Sequence, residues 1–300
     1  MRLLHQNAPP GALRAARVWV FALWIAKIAT EPLERLAEFA PANLPPIGVL
    51  KLIPAAAWPW LLTAGVLLAF RVLTVSCLLA SLIGPLQTTA ALASCVLLTF
   101  HQGLVRGIGY VNHSELPLLY AAYIPAASAV IDRAGNRGSS VTTVAPVTID
   151  VPLIAIAMVL CFTYTATGIS RLLLGAPAVF HPDTLTVWIA GYSHETTYHG
   201  WNIGRAVLDL PIASRALLSV GLIVVTATEL LAPCCLGSRR FRRFFLAVMI
   251  PFHLVTYVTM NILFWENLAL YVFLFDSASL RRHDAGTPPL TPHAGARPGR

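Results

Sequence analysis

Long apolar runs recur along this 300-residue chain from about residue 15 to about residue 276. A helix needs about 20 apolar residues to cross a bilayer, and helices satisfy their own backbone hydrogen bonds in hydrocarbon. Charged residues make up 11% of the chain and hydrophobic residues 57%, whereas a soluble domain carries about 25% charged residues. The sequence therefore predicts an all-α fold, a polytopic integral-membrane helical bundle.

The apolar runs and the turn residues between them predict about eight transmembrane helices, one of them broken. A leader (residues 1–12) precedes the transmembrane domain (13–276), and a disordered tail (277–300) follows it. A tight turn is expected at Arg71, and a bend at Gly84-Pro85. The predicted spans are 12–30, 53–70, 72–104 with its bend, 116–131, 150–174, 212–232, 244–261 and 263–275.

The arginines fall mostly in short connectors between these spans, which indicates membrane topology rather than nucleic-acid binding as the reason for the net charge of +8. With Arg14 and Arg17 in the cytoplasm, the clusters 133–137, 239–243 and 281–282 lie on the same side. We therefore expect a protein of the cytoplasmic membrane with both termini in the cytoplasm and the lipid bilayer as its environment.

Polar residues at the ends or centres of spans are the candidate functional residues, because titratable groups are costly inside a bilayer. Asn112, His113 and Glu115 stand at the start of the fourth span. Ser170 and Arg171 stand near the outer end of the fifth, and His253 lies midway along the seventh. On the predicted topology these groups converge in one cavity that faces away from the cytoplasm.

Other ionisable residues have structural interpretations. Lys27, near the outer end of the first span, is expected to be an interfacial anchor, and Glu229 is expected to pair with the arginine cluster 239–243. His194 and His199 are five residues apart, about 140° out of alignment on a helix, so no metal site is predicted there.

Four segments, taken in order, resemble the vitamin K-dependent gamma-glutamyl carboxylases and their bacterial relatives with an HTTM domain. The resemblance implies an integral-membrane fold with a site on the exoplasmic side. It also implies a reduced quinone as cofactor, with oxygen and carbon dioxide, since oxygenation of the quinone generates the base that removes a proton. The segments are 111–115, 166–172, 228–233 and 250–254.

Arg171 occupies the position of the catalytic lysine in that family. Arginine stays charged in proteins, so Arg171 is expected to hold an anion, either a carboxylate or a quinol oxyanion, and not to take a proton. Proton chemistry is assigned to His113 and His253 as catalytic residues. The substrate-binding residues are Asn112, Ser170, Arg171 and Glu115.

Three functions stay open from the sequence. The favoured one is an enzyme that acts on a lipophilic small molecule by quinone-linked oxygenation, proton abstraction or carboxylation-like chemistry. Peptide gamma-glutamyl carboxylation is not expected, because little chain follows the last predicted span. The alternatives are a membrane isoprenoid cyclase, with Glu115 as proton donor, and a non-enzymatic protein that binds quinone or lipid.

Overall fold

The structure is a computed structural model that describes residues 11–83, 86–107, 115–138, 150–175, 177–193 and 200–275. Every regular element in these ranges is helical. Short 3-10 turns connect several of the helices. The helices are α1 (Ala12–Thr30), α2 (Trp58–Leu61), α3 (Ala64–Leu82), α4 (Gln87–Arg106), α5 (Leu116–Gly138), α6 (Asp150–Gly175), α7 (Pro182–Tyr192), α8 (Ile203–Ala206), α9 (Ile212–Leu230), α10 (Arg239–Met260) and α11 (Trp265–Leu270).

Five of these helices, α3, α4, α6, α9 and α10, are long and apolar enough to cross a membrane. Helix α5 adds a shorter apolar stretch over Leu116–Ile131. Many large apolar side chains face outward, as expected where lipid takes the place of water. In its described residues the chain is therefore an all-helical integral membrane protein, as predicted. Residues 1–10 of the leader and the whole tail lie outside the described residues.

The broken helix predicted for residues 72–104 is not confirmed. Helix α3 passes through Arg71 without a turn, and α4 is a separate helix that packs along it. The Arg71 guanidinium donates to the carbonyl oxygens of Ile28 and Ala29 at the end of α1 and pairs with Glu34 at 2.8 Å. Arg71 is thus an internal contact between α1 and α3, and the prediction of a turn there was wrong.

Residues 31–63 form a cap of 3-10 turns and the short helix α2, where the sequence predicted part of a second span. The cap has an apolar core of its own, which includes Leu33, Leu50 and Leu104. Trp58 is buried in it and donates its indole N–H to the carbonyl of Leu44 at 2.8 Å. Leu33–Glu38, the first element of the cap, is a 3-10 helix.

The main core lies between α1, α4, α5, α6 and α10. The segment predicted as the eighth span is α11 followed by a 3-10 turn, Tyr271–Leu274. Helix α11 has six residues, a length of about 9 Å, well short of the about 30 Å of a bilayer core. It lies beside α1, where the Trp19 indole donates to the carbonyl of Ala269 at 3.0 Å.

The contact between α8 and α10 gives a test of this packing. A methyl group at Gly204 would overlap the carbonyl oxygen of Thr259 and approach Ser193 Cβ to 2.6 Å, whereas a methyl group at Gly191 meets nothing within 4 Å. We expect Gly204→Ala to destabilise the protein by about 1–3 kcal/mol through overpacking. Gly191→Ala should leave the melting temperature of the detergent-solubilised protein unchanged or slightly higher. Equal melting temperatures for the two variants would contradict the described packing.

Candidate functional site

Lys27 lies at the centre of a buried ion cluster. Its ammonium nitrogen is 2.6 Å from Glu31 Oε1, 2.8 Å from Glu266 Oε1 and 2.9 Å from Glu115 Oε1. Glu31 follows α1, Glu115 precedes α5 and Glu266 lies in the first turn of α11. These four residues, here named the Lys27 centre, join three parts of the chain that are far apart in the sequence.

The position of Lys27 follows from the helical period of α1. The buried face of this helix includes Val20, Trp24, Lys27 and Ile28, which recur at spacings of three and four residues. Lys27 is 1% exposed, so the prediction of an interfacial anchor was wrong. The signal in the sequence was that Lys27 shares a helix face with apolar residues.

Next to this centre lies His101 of α4, a residue that the sequence analysis did not select. Its ring is fully buried and meets the Trp24 ring edge-on at a centroid distance of 6.3 Å. Neither ring nitrogen has a hydrogen-bond partner. Glu266 Oε2 and Asn267 Oδ1 are also buried and without a partner. Buried polar atoms nearly always have a hydrogen-bond partner. Each of these atoms of His101, Glu266 and Asn267 therefore needs a further polar group as its partner.

A second cluster joins α6 to α9. The Arg171 guanidinium forms an ion pair with Glu229 Oε2, donates to Glu229 Oε1 at 3.3 Å and donates to the Thr226 hydroxyl at 2.8 Å. Glu229 is 1% exposed. The predicted pairing of Glu229 with the arginines 239–243 was wrong, because close packing at Gly168 brings α6 against the end of α9.

His253 belongs to a third cluster, with two tyrosines. The Tyr164 hydroxyl is 2.7 Å from His253 Nε2 and 2.6 Å from the Tyr271 hydroxyl. All three side chains are buried, and His253 Nδ1 has no partner. The sequence predicted that His253 needs a partner but did not identify one, since neither tyrosine stands out in an apolar run.

An apolar groove of about 740 Å³ runs between α5 and α6. Its lining includes Tyr120, Phe162 and, at one end, Leu116 and Ser170. A volume of this size is in the range of small-molecule sites. Leu116 directly follows Glu115 of the Lys27 centre, and Ser170 directly precedes Arg171. One end of the groove therefore adjoins two of the buried ion clusters.

No family model, curated protein or solved structure matches this chain.

The predicted site residues that the structure describes are divided among separate clusters. In the described part of the chain, no hydrogen bond or ion pair links the side chains of Glu115, Arg171 and His253, which belong to three different clusters. Ser170 lines the groove. Asn112 and His113 lie outside the described residues.

The three carboxylates of the Lys27 centre are also the one set of side chains in the described residues that are close enough together to bind a metal ion. Oxygens of Glu31, Glu115 and Glu266 lie within 4.8 Å of one another. The Lys27 ammonium already lies among these oxygens and balances part of their charge. The histidines of the stretch 194–199 fall in a gap between the described ranges.

The pairing of Arg171 with Glu229 can be tested by a double-mutant cycle. Removing one partner leaves the other buried and uncompensated, so Arg171→Met and Glu229→Gln should each reduce the free energy of unfolding by about 3–5 kcal/mol. The double variant should lose less than the sum of the two. Arg240 is exposed in the arginine cluster that the sequence favoured as partner, and Arg240→Met should stay within about 0.5 kcal/mol of wild type. Coupling of Glu229 to Arg240 instead would contradict this assignment.

Proposed function

We propose that this protein is a membrane enzyme that acts on a lipophilic small molecule held in the groove between α5 and α6. The observation that carries the proposal is the position of one end of the groove. Leu116 and Ser170 line that end, and their neighbours Glu115 and Arg171 belong to buried ion clusters. An apolar groove with a few convergent polar groups is a typical site for a small ligand. Ionisable groups inside a membrane bundle commonly mark function.

The reaction class that we propose is the one implied by the resemblance to HTTM-domain relatives of the carboxylases. A reduced quinone would be held by the apolar lining of the groove, where Tyr120 and Phe162 could pack against its ring and the Ser170 hydroxyl could bind an oxygen. When bound, it would supply a ring whose oxygenation generates the base for proton abstraction. Oxygen and carbon dioxide would be co-substrates. Peptide gamma-glutamyl carboxylation is not part of the proposal.

The roles of individual residues follow from the clusters. Glu115 is the proposed proton-transfer group at the groove end. His113, which lies outside the described residues, is proposed as a second proton-transfer group on the sequence alone. His253 would act from the bundle interior, through Tyr164. Arg171 already has Glu229 as its anion, so we propose that it fixes α6 against α9 and shapes the groove end instead of holding a substrate oxyanion.

An isoprenoid cyclase is the second candidate. Such an enzyme needs a carboxylic acid near an apolar substrate, and Glu115 adjoins the groove residue Leu116. A lipid-binding protein without catalysis would use the same groove. Ligand identification and turnover separate these three functions.

The groove gives the first test. Ala166 lines it, whereas Ala227 is exposed on α9 and does not. We expect Ala166→Phe to fill the groove and to remove a co-purified lipophilic molecule from the native mass spectrum of the detergent-solubilised protein. Ala227→Phe, the matched control, should retain it. Retention of the ligand by both variants would place the binding site elsewhere.

Turnover is tested on the same ligand. If the protein is an enzyme, His113→Ala or Glu115→Gln should abolish its conversion while the ligand stays bound. An oxidised product supports the quinone-linked reaction and a cyclised product supports the cyclase. A ligand that wild type binds but never converts would support the third function, a lipid-binding protein without catalysis.

We further propose that both termini face the cytoplasm. Arg14 and Arg17 in α1 and the arginines 239–243 at the start of α10 favour that side. The segment after α10 lies beside α1 and runs in the opposite direction, since Glu266 meets Lys27 and Ala269 meets Trp19. It therefore starts back toward the end at which α1 begins, which is the direction that a cytoplasmic C-terminus requires.

Cysteine labelling checks this topology. In a variant without the native cysteines, a cysteine at Asn43 in the cap should react with an impermeant maleimide in intact cells. A cysteine at Arg240 should react only after the cells are permeabilised. Both positions are exposed. The reverse pattern would contradict the proposed orientation.

A further inference from the structure

The Lys27 centre has an excess of negative charge. One ammonium group meets three carboxylates, whose side chains are 40% exposed for Glu31, 10% for Glu115 and 3% for Glu266. If all four groups were ionised, the centre would carry two uncompensated negative charges. Burying an unbalanced charge costs several kcal/mol per ion, about the size of a protein's whole stability. A further positive charge would therefore stabilise the centre, above all at the two most buried carboxylates, Glu115 and Glu266.

Arg71 of the neighbouring helix α3 does not supply that charge. It is balanced by Glu34 of the cap and otherwise donates to the carbonyls of Ile28 and Ala29. The N-terminus of α5, next to Glu115, contributes roughly half a charge. The charges of the centre also act on His101 of α4.

His101 lies one helical turn from the centre. It packs on Trp24, which precedes Lys27 by three residues, and Trp24 donates its N–H to the carbonyl of Leu118, three residues after Glu115. Both imidazole nitrogens and Glu266 Oε2 are buried without partners. Glu266 Oε2 is thus a buried acceptor in a cluster of carboxylates, and it needs a hydrogen-bond donor.

We propose that the Lys27 centre binds one exchangeable proton, which the carboxyl groups of Glu31, Glu115 and Glu266 share. The proton turns one carboxylate into a carboxyl group, and its O–H donates to a neighbouring carboxylate oxygen. One oxygen of each carboxylate lies within 4.8 Å of the others, so small side-chain movements bring two of them to hydrogen-bond distance and let the proton pass between them. This halves the charge excess and provides the donor that Glu266 Oε2 lacks.

The proton enters through Glu31, the most exposed member of the centre. A hydronium ion at the cap loses its proton to the Glu31 carboxylate, a carboxyl O–H bond forms and water is released. Burial raises the pKa of the Glu31 carboxyl against the opposing effect of Lys27, which favours uptake at this position. Glu115 and Glu266 extend the site inward, toward His101.

The Arg171–Glu229 pair provides an internal control. It is also buried, but it has one positive and one negative charge. Glu229 is therefore expected to be a carboxylate when the Lys27 centre holds its proton. The difference between the two clusters is the charge ratio, three to one against one to one.

Infrared spectroscopy of the purified full-length protein in lipid nanodiscs tests the proposal without an activity assay. Near pH 7 we expect the carbonyl stretch of a protonated carboxyl group, which a carboxylate lacks. Labelling of glutamate with carbon-13 should shift this band. Lys27→Met should increase its intensity, since three carboxylates then lack their cation. Glu31→Gln, Glu115→Gln or Glu266→Gln should each remove or displace it, whereas Glu229→Gln should leave it unchanged.

The outcomes separate the proposal from its rivals. Absence of a glutamate band from folded wild-type protein near pH 7 overturns it, and so does a band that depends on Glu229 alone. Stoichiometric metal by elemental analysis, with no such band, would show a metal ion in place of the proton. The carbon-13 shift in wild type assigns the band to glutamate even if every variant fails to fold, and its absence there still overturns the proposal. A band in a protein that converts no substrate would support the proton site and contradict the proposed enzyme.

Discussion

The bundle depends on how one ammonium group is satisfied in an apolar interior. Lys27 cannot be buried without counter-charges, and its three carboxylates come from the end of α1, the start of α5 and the start of α11. These contacts hold α11 against the bundle, where Tyr271, five residues after Glu266, reaches Tyr164 and through it His253. The same region contains the groove end. The position of α5, α11 and the candidate site thus follows from the pairing of one side chain.

The lengths of the apolar runs in the sequence predicted the limits of three helices well. Residues 12–30, 150–174 and 212–232 were predicted as spans, and α1, α6 and α9 lie within two residues of these limits. The errors lie where polar contacts compete with length. Arg71 was predicted as a turn because a charge in an apolar run usually marks an end, yet its partners are backbone carbonyls of α1 and Glu34.

The candidate site was only partly predictable for a similar reason. Glu115, Arg171 and His253 were selected because polar groups are costly in membranes, and each of them proved to have a partner in a buried cluster. The partners could not be found from the sequence. Lys27 and Glu266 are 239 positions apart, and only the tertiary fold brings them together. His101, which has no hydrogen-bond partner among the described residues, is the residue that local patterns could have identified, as a lone histidine in an apolar helix.

The coupling between Lys27 and its carboxylates organises the bundle, and a double-mutant cycle of Lys27→Met and Glu266→Gln measures this coupling most directly. The apparent free energy of unfolding would be determined in lipid by titration with a denaturing detergent. If the ion cluster organises the bundle, each single variant is destabilised, and the double variant loses less than the sum by about 0.5–3 kcal/mol. Losses that add within about 0.5 kcal/mol would contradict the claim that this interaction joins α1 to α11.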